Sequence, residues 1–212
     1  MTLHCPHDDI LLSYTAGGVG ESWGLAIASH VTFCSECRDA VAIGEEIGGV
    51  FLEDSEPYPL SDGLKKLSLD EIVLDSEPEG HVYSGDSDLP MPLRDYVGDH
   101  LDRIKWQILG GGIFQHKIKT NDNDQARLLK IRAGKSVPEH GHSGREITLV
   151  LSGSYIDNGV KYAAGDVSDF AEDITHQPVA GIEDDCICLI VTDAALKFKG
   201  LVPKLFQPFA SI

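Results

Sequence analysis

Positive charge is what this chain has least of: 17 Lys and Arg stand against 34 Asp and Glu, a formal net charge of −17. The deficit is uneven. Residues 1–95 hold 4 basic against 19 acidic side chains, net −15, while residues 96–212 hold 13 against 15, net −2. Displacing counterions from phosphates needs a cationic surface, so the first half is unsuited to nucleic acid. An anionic surface of this kind attracts a basic protein partner and speeds its capture. Long apolar runs are also missing. The best, Leu25 to Phe33, contains His30 and is too short to cross a bilayer. No basic segment followed by an apolar run and a small-residue cleavage site opens the chain, so a cytoplasmic protein is expected. Cysteine is sparse, with five in 212 residues. Three of the five have metal-like spacing, which fits a reducing compartment better than a disulfide framework.

What is present suits one large domain or two small ones, with 42% hydrophobic residues to build a core. Residues 8–50 read as helical. Asp8 or Asp9 caps a first helix carrying Ile10, Leu11, Leu12 and Tyr14, closed by Gly17-Gly18. Ser22 caps a second, whose Trp23, Ile27 and Val31 share a face. A third runs from Ser35 to Ile47, with Gly48-Gly49 beyond it, and 61–74 supplies a fourth. Residues 75–92 are acidic and rich in Pro, Gly and Ser, which is linker composition. The period then changes. Ala126–Ile131, Ile147–Leu151, Ser154–Ile156, Val160–Tyr162, Val167–Phe170 and Cys186–Thr192 read as strands, and Asp157-Asn158-Gly159 as a hairpin turn. Many short strands with close turns predict a closed antiparallel β structure.

Two groups of metal-ligating residues stand out. The first is His30-x3-Cys34-x2-Cys37, three zinc-preferring side chains at one helix–helix corner. Zinc completes a tetrahedron with a fourth ligand in structural sites, and Cys5, His7 and His4 compete for that place. The second is His140-x-His142-x3-Glu146, with His176 downstream. His140 and His142 alternate by two, so on a strand both imidazoles share a face. Three imidazoles and a carboxylate suit zinc, iron or manganese, and leave positions open to water or a small-molecule ligand. Cys186 and Cys188 alternate on one strand, either as core residues or as oxidation targets near that metal.

The second spacing resembles the two cupin motifs. It is complete from Gly134 to Gly153, and its second part, from Gly165 to His176, departs at Ala171, Asp173 and Ala180. The first half is similar to zinc-binding anti-sigma domains, matching at Pro6, Asp8, Leu11, Leu12, Tyr14, Ala16 and Gly17. Cys5 stands where that family has its first His. Together the two halves resemble the ChrR family of anti-sigma factors. The resemblance implies an α+β chain of two domains, a small helical zinc-binding domain (1–85) and a cupin antiparallel β-barrel (96–212), with a linker over 86–95.

It further implies metal ligation by Cys5, His30, Cys34 and Cys37, and by His140, His142, Glu146 and His176. Zinc is expected at the first group, and zinc, iron or manganese at the second. The implied function is to hold an extracytoplasmic-function sigma factor inactive in the cytoplasm and release it under singlet-oxygen or peroxide stress sensed through the cupin. No direct contact with nucleic acid or membrane is expected. The rival reading is a metal-dependent dioxygenase or isomerase, with Tyr155, Tyr162 and Glu139 as its acid–base candidates.

Overall fold

The computed structural model describes residues 4–59, 61–66, 87–171, 174–194 and 197–198. It opens with three helices: α1 (Asp8–Thr15), α2 (Glu21–Phe33) and α3 (Ser35–Glu53). A further helix, α4 (Met91–Val97), precedes the strands. The fourth helix expected over 61–74 is helical at 62–66, and its remainder lies outside the described residues, as do residues 75–86 of the acidic segment. Among the described residues, no helix is long and apolar enough to cross a membrane.

Helix starts differ from the sequence reading in an instructive way. Asp8 and Asp9 lie in the first turn of α1 behind His7, where they face the positive end of the helix dipole rather than cap it. Ser22 likewise lies inside α2, which begins after Gly20. The capping oxygen comes from the strand region instead. Asp122 Oδ2 accepts the Ser22 backbone N–H at 2.8 Å, and Asp122 Oδ1 accepts the Ser22 hydroxyl at 2.7 Å. Asp124 accepts the Trp23 indole N–H at 2.9 Å. Glu21 receives the Tyr96 hydroxyl of α4 at 2.7 Å and the Asn121 backbone N–H. Helix α3 runs through Gly48-Gly49 to Glu53 instead of ending before them. Mid-helix glycine costs only about 1 kcal/mol each, so it does not by itself stop a helix.

Among the described residues, twelve strands follow: β1 (Gln107–Gly110), β2 (Ile113–Ile118), β3 (Gln125–Ile131), β4 (His140–Gly141), β5 (Glu146–Ser152), β6 (Ser154–Asp157), β7 (Val160–Ala163), β8 (Val167–Phe170), β9 (Thr175–His176), β10 (Val179–Ala180), β11 (Cys186–Thr192) and β12 (Lys197–Phe198). They form an antiparallel cupin-type barrel flattened into layers. A six-stranded sheet in the order β1-β2-β3-β11-β5-β8 faces two three-stranded sheets, β10-β6-β7 and β12-β4-β9. The β6–β7 hairpin turns at Asn158 (φ 48°) and Gly159 (φ 82°), the left-handed pair that the Asp157-Asn158-Gly159 signal predicts.

The six-stranded sheet is buried on both faces along β3, β5 and β11, which is why β11 reads as an unbroken apolar run. Its inner face, with Leu129, Ile131, Val150, Cys186 and Cys188, packs on Tyr155 and Ala180 of the smaller sheets. Its outer face, with Leu128, Ile147, Leu149, Val167, Leu189 and Val191, joins Trp23, Leu25 and Ile27 of α2 in one apolar cluster. The helices are therefore seated on the barrel. The 86–95 stretch, expected as linker, contributes to the same cluster through buried Leu89 and Leu93. Burying an isoleucine such as Ile27, fully shielded here, contributes roughly 1.5–3 kcal/mol.

Ile27→Ala is expected to destabilise the chain by about 2–4 kcal/mol in urea denaturation. Leu52→Ala, at a position 75% exposed, should stay within about 0.5 kcal/mol.

Candidate metal centres

The first centre forms where α2 passes into α3. Cys34 is the residue between the two helices, with extended backbone (φ −105°, ψ 112°), and its N–H donates to the His30 carbonyl at 3.1 Å. His30 lies one turn earlier on α2, and Cys37 lies in the first turn of α3. Cys5 arrives from the segment before α1. Its Sγ lies 3.7 Å from Cys34 Sγ, and His30 Nε2 lies 3.3 Å from Cys37 Sγ. All four ligand atoms fall within 4.8 Å of one another, a group that could hold a metal ion. Of the three candidates for the fourth position, the fold brings in Cys5. The His4 ring rests against Tyr162 at 4.8 Å, and His7 precedes α1.

The tautomer of His30 is fixed from behind. Its Nδ1–H donates to the Gly165 carbonyl at 3.0 Å, which leaves the Nε2 lone pair facing the sulfurs. Gly165 adopts φ 92°, a left-handed conformation that aims this carbonyl and that a side chain would strain. Burial lowers the His30 pKa, so the ring is neutral and ready to ligate. Burial, and then the neighbouring Cys5 and Cys34 sulfurs, push the Cys37 thiol far up. Clustered, desolvated thiols of this kind require a cation before they ionise together. Three sulfurs and one imidazole suit tetrahedral zinc, and a closed ligand set is structural rather than catalytic.

The second centre lies inside the barrel. His140 on β4, His142 in the following turn, Glu146 at the start of β5 and His176 on β9 converge, all buried. His142 Nε2 lies 2.8 Å from His176 Nε2, which lies 3.0 Å from His140 Nε2. Two of the three rings are oriented by their other nitrogen. The His140 Nδ1–H donates to the Pro138 carbonyl at 2.8 Å, and the His176 Nδ1–H donates to Asp157 Oδ2 at 2.6 Å. Burial together with the neighbouring imidazoles pushes His140 down to about 4 and His142 down to about 3. With Nδ1 donating elsewhere, His140 and His176 present Nε2 lone pairs to each other at 3.0 Å. That contact is repulsive unless a cation lies between them. Burial raises Glu146 to about 7 against the opposing pull of His176 and Arg127. The donor set thus fits a divalent cation with open coordination positions.

Other residues singled out in the sequence fall into place around this centre. Cys186 and Cys188 are buried in the inner core with sulfurs 3.5 Å apart, and Cys188 lines the cavity beside the histidines. The Cys186 sulfur and burial hold the Cys188 thiol protonated. Tyr155 lines the same cavity and donates its hydroxyl to Ser168 at 2.7 Å, and burial raises its pKa well above the usual phenol range. It is a poor acid–base group at neutral pH. Tyr162 stacks on Tyr155, and exposed Glu139 does not line the cavity.

Three residues that the sequence reading passed over matter here. Asp157 was visible only as a turn residue, yet its carboxylate orients His176. Arg127 sits inside an apolar strand run. Arg145, beside Glu146, donates to Asp169 of β8 at 2.7 and 2.6 Å and to Asp9 of α1 at 2.9 and 3.1 Å.

A family model described as the ChrR cupin-like domain matches residues 96–195. The chain is 38% identical to the anti-sigma-E factor ChrR of Cereibacter sphaeroides over 209 residues, covering 99% of this chain and 98% of that protein. It is similar in structure to the crystal structure of Rhodobacter sphaeroides SigE in complex with the anti-sigma ChrR, with a TM-score of 0.80 and 38% identity over 91% of this chain and 100% of that one.

Elemental analysis of purified protein should find about two metal ions per chain, one for each ligand group. Cys37→Ser and His176→Ala should each remove one ion and leave the other.

Proposed function

The chain belongs to the ChrR family of anti-sigma factors, and on that premise we propose that it binds an extracytoplasmic-function sigma factor in the cytoplasm and keeps it from core polymerase. The role is regulatory rather than catalytic, in keeping with the relative that it matches along nearly its whole length. One observation on the helical unit carries this reading most directly. The second half of α3 presents Ile43, Ile47, Val50, Phe51 and Leu52 to solvent, with Phe51 73% exposed. Exposed apolar side chains at successive helical turns are characteristic of a binding face. They sit on the acidic half of the chain, next to Glu45, Glu46, Glu53 and Asp54. A sigma factor offers basic surfaces to DNA and apolar helical surfaces to polymerase. A face that is apolar at its centre and anionic at its rim competes for both.

Zinc would be held by Cys5, His30, Cys34 and Cys37, and its contribution when bound is a cross-link that sets the angle between α2 and α3. The cupin metal, whether zinc, iron or manganese, would be held by His140, His142, Glu146 and His176. In our reading, singlet oxygen or peroxide stress alters that centre, and the change passes through β8. Period-two alternation along this strand supports such a route. Phe170 packs edge-on against His176 at 5.0 Å, while Asp169, one residue earlier, holds Arg145 and accepts the His7 N–H at 3.2 Å. At the other end of β8, the Val167 N–H donates to the His4 carbonyl at 3.0 Å, next to Cys5. A displacement of His176 therefore has a path of four strand residues to the segment that supplies the exposed zinc ligand.

Co-purification of the full chain with candidate extracytoplasmic-function sigma factors tests the reading. Phe51→Asp should weaken capture by roughly thirtyfold or more, the loss of about 2 kcal/mol typical of an interface anchor, with metal content unchanged. Cys34→Ser should abolish capture, whereas His176→Ala should preserve capture and lose release by oxidant. Undiminished capture by both Phe51→Asp and Cys34→Ser would reject the proposal.

A further inference from the structure

Between the six-stranded sheet and the histidines lies a cavity of about 60 Å³. At about 10–15 Å³ for each water-sized atom, it holds roughly four to six non-hydrogen atoms. Its floor is laid out by strand register. Arg127, Ile190 and Thr148 form one row across β3, β11 and β5, and Gln125, Thr192 and Glu146 form the next. Leu129, Ile131, Val137 and Cys188 line the opposite end. The cavity wall is thus mostly apolar, with Arg127, Thr192 and the metal ligands gathered toward one end.

Two observations at the polar end point to a ligand. Thr192 is 2% exposed and lines the cavity, yet its hydroxyl has no hydrogen-bond partner among the described residues. Such an orphan is costly unless something enters to satisfy it. Arg127 is 4% exposed, and its Nη2 donates to Gln125 Oε1 at 2.5 Å. A guanidinium has five donors, and burying it demands an anionic partner. Glu146 is the carboxylate whose charge acts on Arg127, but it belongs to the metal-ligand group. The charged side chains lining the cavity or bonded to its histidines are one cation, Arg127, and two anions, Glu146 and Asp157. Adding a divalent ion leaves one unit of positive charge in a desolvated space.

We propose that this cavity binds a short-chain aliphatic monocarboxylate of acetate size. Its carboxylate lies on Arg127 and Thr192 beside the three-histidine centre, and its methyl end faces Leu129 and Cys188. The anion supplies the missing negative charge, accepts the orphaned hydroxyl, and pairs with the guanidinium in the geometry that arginine favours. The inference rests on a divalent metal at the histidine centre, as in the reading above, but not on sigma-factor capture.

The test uses the full chain with zinc at the cysteine clasp and Co²⁺ at the histidine centre, whose visible absorption reports on ligands near the metal. Acetate should shift that spectrum saturably. Acetamide, neutral and of the same shape, should require at least tenfold higher concentration, and pentanoate, too long for the cavity, should have no effect. Arg127→Met should weaken acetate at least tenfold, with Arg127→Lys recovering part of the loss. Equal responses to acetate and acetamide in the unmodified chain would overturn the proposal, and that comparison stands even if Arg127→Met does not fold. Metal content and sigma-factor capture, measured on the same preparations, separate the two readings. Capture without selective acetate binding sinks this inference alone, and selective acetate binding without capture sinks the anti-sigma reading alone.

Discussion

Everything in this molecule is referred to the placement of α2. Its first turn is held by Asp122, Asp124 and the Glu21 contacts, its middle is sealed by Ile27 against the sheet, and its last turn is held by the His30 bond to Gly165. Each of these anchors comes from the barrel or from the α4 segment. The imidazole that completes the sulfur cluster is therefore positioned by a β-turn 135 residues downstream, not by its own helix alone. Because one side chain serves as ligand on Nε2 and as anchor on Nδ1, the two halves share a structural element at the point where the metal would be held.

This arrangement explains why a strongly acidic, glycine-containing helical segment is ordered at all. Helices α1 to α3 bury few large side chains among themselves, and α3 leaves most of its second half in water. Left to propensity alone, short helices are marginal. Their order comes from three external sources: the outer face of the sheet, the four-residue ligand cluster, and the Arg145 link between Asp9 and Asp169. The remaining surface charge is then free to serve solubility and recognition.

The candidate metal ligands were legible in the sequence because ligand chemistry imposes spacing on residues that are otherwise rare, and the structure brings all eight together in two groups that could hold an ion. Six strand runs, those of β3, β5, β6, β7, β8 and β11, were legible because segments rich in β-branched and other apolar residues lay between turn residues. Other features were hidden for physical reasons. The β1–β2 hairpin turns on Gly110, Gly111 and Gly112, and the two-residue strands carrying His140 and His176 are too short to show a period. The cap of α2 is supplied by Asp122, which local pattern cannot reveal. Arg127, one of two cations in the otherwise largely apolar β3, and Asp157, one acid in a turn, acquire their roles only when the sheets close over the cavity.

Leu128, Ile147, Leu149, Leu189 and Val191 form a layer that is never wet in the assembled chain, because the helices lie over it. Here the face has become committed to its helical cover. The two halves are consequently not exchangeable cassettes: recombination that placed a different sensor barrel behind the same helices would have to import a matching greasy exterior and the Asp122–Asp124 loop.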